Sequence, residues 1–150
     1  MRLLSLVSGI FILSFFACAK PDDQAIRELI AQMEKEAEAL DWNAFQSHIS
    51  RHYKDDSGNN YFIIFQIIKN YTQGLDSLEA EVEILGISIR GENAEAQLKL
   101  IARGMRQGKI SYIVGREDLP EYPRLKFQKE GRNWRLIKVE GIKSAEESPW

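Results

Sequence analysis

The sequence predicts an α+β domain, in which three N-terminal helices pack on an antiparallel sheet. Between residues 22 and 71, apolar residues recur at the spacing of amphipathic helices. Between residues 82 and 140, apolar and polar residues alternate and turn sequences separate the runs, as in strands joined by hairpins. The chain has 150 residues, which suits one domain, and we place that domain at residues 22–142.

The first helix is predicted to begin at Asp22 or Asp23, because either carboxylate can cap free backbone amides. One face of this helix is acidic and is interpreted as a solvated face. The other face is predicted to be buried. Its apolar residues are Ile26, Leu29, Ile30, Met33, Ala37 and Leu40.

A second, shorter helix is predicted to follow, with Asp41 as its cap. Two histidines, His48 and His52, lie beside and after this helix. We interpret both as surface or partly packed residues, since no third metal-binding group lies at a suitable spacing. The apolar stripe of the helix is formed by Trp42, Phe45 and Ile49.

Residues 51–60 are predicted to connect the second helix to a third. Their acidic run DDSGNN is not an EF-hand loop, because the glycine comes too early and no glutamate stands at the far end. We therefore expect a tight turn at Gly58, and an asparagine cap for the next helix. No metal site is predicted.

The segment YFIIFQIIKNY, residues 61–71, favours a strand by residue propensity but lacks strand alternation. Its length and its helical face predict a nearly buried helix that ends near Gly74. That face comprises Tyr61, Ile64, Phe65, Ile68 and Tyr71.

The remainder of the domain is predicted to be strands. Val82 and Ile84 follow one alternation phase, whereas Leu85, Ile87 and Ile89 follow the other, which indicates a bulge near Gly86. The clearest half-buried strand follows a turn at residues 90–93. Its inward residues are predicted to be Ala94, Ala96, Leu98, Leu100 and Ala102, and its outward residues Glu95, Gln97, Lys99, Ile101 and Arg103.

Three further strands complete the predicted sheet. They cover residues 109–115, the neighbourhood of Leu125 and Phe127, and residues 134–140. A turn at residues 130–133 joins the last two. The tail, residues 143–150, is polar and predicted to be loose.

Three segments carry a resemblance to a known family: the helix DDQAIRELIAQMEKEAEALDWNAF, the stretch HYKDDSGNN and the closing hairpin RLKFQKEGRNWRLIKVEGI. In order and length, residues 22–142 resemble the nuclear transport factor 2-like superfamily, also called SnoaL-like. The resemblance implies a cone-shaped, cystatin-like fold, in which a long first helix lies across a curved sheet and the cone often holds a pocket. A fold of this kind does not imply one function.

The resemblance directs attention to the inside of the cone. Enzymatic relatives, such as ketosteroid isomerases and polyketide cyclases, use an aspartate there beside a tyrosine or histidine, and no such pair can be placed in this sequence. Asp55 and Asp56 are interpreted as turn residues, so no catalytic residue and no cofactor is predicted. The candidate pocket-lining residues, each of which also has a packing or surface explanation, are Tyr53, Tyr61, Tyr71, Arg103 and Tyr112.

The N-terminus predicts export. Arg2 gives a minimal positive region, and residues 3–16 form an apolar stretch of the length that secretory signals use, shorter than the roughly 20 residues of a membrane span. The sole cysteine, Cys18, follows Ala17 at the end of this stretch. A free cysteine has no obvious use in an oxidising compartment. Its position at the end of the apolar stretch therefore favours a role in processing of the leader.

The sequence FFAC, residues 15–18, resembles the lipobox of bacterial lipoproteins. The resemblance implies that residues 1–17 are a signal peptide, that Cys18 carries the lipid, and that residues 18–21 are a tether. Ala19 and Lys20 follow the cysteine, and the first of these positions carries no acidic residue. By resemblance to sorting in double-membraned bacteria, this favours the outer membrane, facing the periplasm. Two alternatives stay open: ordinary cleavage after Ala19 at an A-x-A site, and a leader that remains as a short anchor.

Composition excludes several classes of protein. The formal net charge is −2, and loss of Arg2 with the leader makes it −3, which argues against a nucleic-acid partner. One cysteine excludes an internal disulfide and a zinc site built from cysteines.

We therefore expect a membrane-anchored module without catalytic activity that binds a small apolar ligand or an envelope protein. An isomerase or cyclase, and a purely structural envelope protein, are the alternatives. Relatives of this fold often dimerise through the outer face of the sheet. Here that face is predicted to present charged residues such as Glu95, Lys99 and Lys126, so we expect a monomer or a weak dimer.

Overall fold

The computed structural model of the protein describes residues 21–142. The signal peptide at residues 1–17, the lipidated Cys18 with most of the tether, and the tail at residues 143–150 are predictions that lie outside the described residues. The described elements are α1 (Asp22–Glu38), α2 (Trp42–Ser47), α3 (Tyr61–Thr72), β1 (Ser77–Arg90), β2 (Asn93–Arg106), β3 (Lys109–Val114), β4 (Arg124–Glu130) and β5 (Asn133–Glu140).

This order confirms an α+β domain with helices before strands. The helices are unequal, however. α1 has 17 residues, α2 only 6, and α3 has 12. Within the described residues, no helix combines the length and the apolar character that a bilayer crossing requires.

The five strands form one antiparallel sheet in the order β1-β2-β4-β5, and β3 also pairs with β2. The long strand β2 organises this sheet. Its first half, residues 93–97, pairs with β4, and its second half, residues 102–106, pairs with β3. The register of β1 against β2 shifts between Ile84 and Gly86, which confirms the bulge.

The core lies between α1 and one face of the sheet, here called the inner face. Ile26 of α1 and Phe127 of β4 are both fully buried there. The opposite face is called the outer face. The buried core cluster comprises Ile26, Ile30, Met33, Ile49, Tyr53, Tyr61, Ala94, Ala96, Leu98, Leu125, Phe127, Trp134 and Leu136.

The start of α1 differs from the prediction. Pro21 occupies the cap position and no side chain caps the helix. The Asp22 carboxylate instead accepts hydrogen bonds from Lys129 Nζ at 2.8 Å and Trp134 Nε1 at 3.1 Å. These bonds lower the pKa of Asp22, with the Lys129 bond as the main cause. A charge-assisted bond is stronger than a neutral one, so Asp22 attaches α1 to the β4–β5 hairpin rather than capping the helix.

The end of α1 also differs in one residue. Leu40, predicted in the buried stripe, lies beyond the helix with a φ of 55° and is only partly buried. This left-handed residue stands in the turn between α1 and α2. Asp41 then caps α2 as predicted, because its side chain accepts a hydrogen bond from the Ala44 amide at 3.1 Å.

Two strand residues differ in burial from the prediction. Leu85 is 50% exposed, because the bulge removes it from the inward phase. Ile101 is 5% exposed although it was predicted to face outward. We relate its burial to the loop after β3, since the backbones of Glu121 and Leu100 exchange hydrogen bonds of 2.8 and 3.0 Å beside it.

The helix α3 is confirmed in position and cap but not in burial. Asn60 caps it, since its side chain accepts hydrogen bonds from the amides of Phe62 and Ile63. Only Tyr61, Phe65 and Thr72 are buried, whereas Phe62 is 67% exposed. The helix therefore contacts the body of the domain along a narrow stripe, and the prediction of a nearly buried helix is wrong.

Candidate functional site

The five predicted pocket-lining residues lie in three separate places. Tyr53 and Tyr61 are buried within the core cluster. Burial raises the pKa of Tyr53 well above its usual value, and the nearby Asp55 carboxylate adds to this. Tyr71 lies exposed on α3. A phenol held neutral in the core acts as a packing group first, so these positions favour structural roles.

The structure brings the other two residues, Arg103 and Tyr112, together on the outer face. They are cross-strand partners on β2 and β3. Arg103 bonds Glu79 and Glu117, each at 2.8 Å, and the Tyr112 hydroxyl donates to Glu117. The bond to Glu79 is the main reason that the pKa of Arg103 is raised, and the bond from Tyr112 is the main reason that the pKa of Glu117 is lowered. Their charges satisfy one another, and contact of any of the five with a ligand stays a prediction.

One carboxylate–imidazole pair was missed by the sequence reasoning. Glu36 Oε2 of α1 lies 2.9 Å from His48 Nε2 at the end of α2. Both atoms are buried, and neither has a hydrogen-bond partner within the described residues, so the contact is a close approach of the two groups without hydrogen-bond alignment. The pair joins α1 to α2. No group of three metal-binding side chains occurs in residues 21–142.

A first surface cavity, of about 290 Å³, opens on the outer face. Most of its charges are already paired. Glu95 lies 3.1 Å from Arg124, and Lys126 lies 2.8 Å from Glu140. The Lys126 bond, assisted by Lys138, lowers the pKa of Glu140 to about 2. The cavity is lined by Ser88, Arg90, Asn93, Ala94, Glu95, Lys126, Phe127 and Ile137.

A second cavity, of about 390 Å³, lies between α2 and α3, and we call it the α2–α3 groove. Its volume falls at the low end of the range for small-ligand pockets. No residue of this groove was predicted from the sequence as a site residue, and Trp42 was assigned to the apolar stripe of the second helix. The lining comprises Trp42, Gln66, Lys69, Asn70, Thr72 and Gln73.

Comparison with known proteins identifies the fold. No protein-family model and no curated protein matches this chain. Among solved structures, the chain is similar to a protein of Bdellovibrio bacteriovorus, with 12% identity and a TM-score of 0.65. That match covers 83% of this chain and 41% of the other, so this chain spans less than half of that protein.

Two structures from Novosphingobium aromaticivorans are matched along most of their length. One is a nuclear transport factor 2-like protein with a cystatin-like fold, with 19% identity and a TM-score of 0.64, covering 85% of this chain and 84% of that one. The other is a proposed scytalone dehydratase, with 7% identity and a TM-score of 0.64, covering 85% and 95%. At these identities the likeness concerns the fold alone. Residues 21–142 therefore have the nuclear transport factor 2-like, cystatin-like fold.

Proposed function

We propose that the chain is a lipid-anchored, non-catalytic binding module of a bacterial cell envelope. The observation that carries the non-catalytic part is the filled space between α1 and the sheet. Ile26, Ala96 and Phe127 are each 0% exposed there. A cone of this fold holds a ligand only where its inner side chains leave room, and here they pack against one another as core.

The anchor is supported by the position of Cys18. The thiol stands where the apolar leader ends, and α1 begins four residues later, at Asp22. Acyl chains contribute about 0.8 kcal/mol for each buried methylene, so two or three chains hold a protein on a membrane almost permanently. The domain itself needs no contact with lipid. Export to the outer membrane, facing the periplasm, is part of the same proposal.

Metabolic labelling tests the anchor. We expect radiolabelled palmitate to enter the protein, and we expect Cys18→Ala to abolish the label and release the chain from the membrane fraction. Ser14→Ala, a change within the leader that leaves the thiol in place, serves as the control and should label normally. Equal labelling of the Cys18→Ala variant would overturn the proposal.

The Glu36–His48 pair favours a second candidate, an isomerase- or cyclase-type enzyme, because a carboxylate beside an imidazole can hold and move a proton. One of the similar structures, from Novosphingobium aromaticivorans, is itself proposed to be an enzyme, a scytalone dehydratase. Turnover of activated cyclic ketones, lost in His48→Gln while the fold persists, would move the enzyme ahead of the binding module.

A further inference from the structure

The α2–α3 groove differs from the rest of the helical surface in the side chains that line it. Gln66 and Asn70 are four residues apart on one side of α3, and Gln73 follows directly after the helix as its C-cap. Each carries a primary amide, which offers two N–H donors and one carbonyl acceptor. Among residues 21–142, no side-chain hydrogen bond is formed by any of these three amides.

The exposed amides of α1 provide a comparison within the same chain. Gln24 donates to Glu28 at 3.0 Å, and Gln32 donates to Glu36 at 2.6 Å. Those amides are engaged with carboxylates one helical turn away, as amide–acid pairs on a helix surface commonly are. The amides in the groove have no such neighbour, so their bonding capacity is available to a ligand.

The groove is also free of acidic side chains. No aspartate or glutamate occurs from Ser57 to Leu75, although the chain contains 22 acidic residues. The one charge that lines the groove is Lys69, whose Nζ lies 5.2 Å from the centre of the Phe65 ring and forms no ion pair among the described residues. The lining thus suits a neutral ligand rich in hydroxyl and amide groups, or one with a negative charge near Lys69.

An aromatic ring completes the groove. Trp42, the first residue of α2, is partly exposed, and the Phe45 ring meets it edge-on at 5.5 Å. The indole N–H forms no hydrogen bond within the described part of the chain, which leaves a donor beside an apolar surface. A sugar ring has an apolar face of C–H groups and an edge of hydroxyls. The indole ring can pack against that face, and the neighbouring amides can bond the hydroxyls.

We propose that the α2–α3 groove binds a saccharide. A ring packs against Trp42, and neighbouring hydroxyls pair with the amides of Gln66 and Asn70, each of which can donate to one hydroxyl and accept from the next. Lys69 on α3 and Gln73, directly after the helix, extend the site. This inference rests on the proposed binding function and gives that function a ligand class and a place on the domain.

The position of the groove agrees with an anchored protein. Trp42 follows the C-terminal end of α1, whereas Cys18 precedes its N-terminal end. A helix of 17 residues is about 25 Å long, at about 1.5 Å for each residue. An anchor that precedes α1 and a groove that follows it would therefore be separated by the length of this helix.

Calorimetric titration tests the proposal on the full-length chain, purified in a detergent whose head group contains no sugar. The probes are the N-acetylglucosamine trimer and cellotriose. The groove variant is Gln66→Ala with Asn70→Ala, and the matched control is Gln24→Ala with Gln32→Ala on α1. We expect binding of at least one probe, weakened at least about tenfold in the groove variant and unchanged in the control. Trp42→Phe, which keeps a ring but removes the N–H, should weaken binding less.

Two results would overturn the saccharide site. One is the absence of heat with both probes at millimolar concentration, and the other is equal affinity in the groove variant and the wild type. Circular dichroism of each variant checks that the fold is kept, which we expect because both residues are exposed on a helix. Membrane fractionation of the same preparations separates the two proposals, since a chain that stays on the membrane but binds no sugar contradicts only this one.

Discussion

At the scale of single residues, the predictions that depend on near neighbours in the chain are confirmed. Asp41 and Asn60 cap their helices, and Gly58 turns the chain with a φ of 83°. Asp22 is different, because its partners Lys129 and Trp134 lie more than a hundred residues away. A sequence shows which groups can form hydrogen bonds, but only the fold shows which distant groups lie close enough to pair with them.

The turn at Gly58 gives a test at this scale. An added Cβ would meet nothing within 4 Å, so the cost of a side chain there comes from the backbone conformation alone. A left-handed conformation costs an ordinary residue about 1–2 kcal/mol, and a β-branched residue is among the least tolerated. Gly58→Val should therefore lower the free energy of unfolding by about that amount in urea denaturation.

Gly86 is the matched control, since a Cβ there also meets nothing within 4 Å but the backbone has no positive φ. Gly86→Val should change stability little, because β-branched residues suit strands. Equal losses in both variants would show that backbone strain at Gly58 is not the cause.

Calcium should leave the melting temperature of the wild type unchanged, and a rise would reveal a cation site in the turn.

At the scale of elements, the position of each helix and strand follows from the sequence more reliably than its burial. The segment 61–72 contains enough isoleucine and aromatic side chains to predict a covered helix, yet Phe62 and Ile63 are exposed. Hydrophobicity sets how much surface a helix could bury, whereas the number of elements packed around it sets how much it does bury. The α2–α3 groove was missed for a related reason, as Trp42 on α2 and residues 66–73 are far apart in the sequence and no local pattern encodes their proximity.

The two phenylalanines of α3 test this account. Phe65 is buried and Phe62 is 67% exposed. Phe65→Ala should lower the free energy of unfolding by about 3 kcal/mol, the lower end of the range for buried phenylalanine. Phe62→Ala should change it by less than about 0.5 kcal/mol, as exposed substitutions usually do. Chemical denaturation measures both, and a large loss in Phe62→Ala would mean that α3 is covered in solution.

At the scale of the whole molecule, the outer face is more varied than the alternation of β2 predicts. Its charged residues pair with one another, as Arg103 does with Glu79 and Glu117. At the β2–β3 end, however, Met105 and Ile110 are cross-strand partners and both are exposed, Ile110 by 62%. The polar part of this face follows from the period of two in a strand. The apolar end does not, because it depends on which residues of β3 remain exposed in the fold.

This surface leads to the expectation of a monomer or a weak dimer. A second copy seated on the outer face would have to displace ion pairs that are already formed, and a buried charge without its partner is costly. The exposed apolar partners at this end are Met105 and Ile110, whereas a stable interface buries about 20–30 residues on each side. Sedimentation velocity of residues 19–150 at micromolar concentration should therefore show mainly monomer.

Any weak association should disappear in Ile110→Glu and persist in Leu85→Glu, which adds the same charge on β1. A tight dimer that survives Ile110→Glu would show that copies of the chain meet through another face.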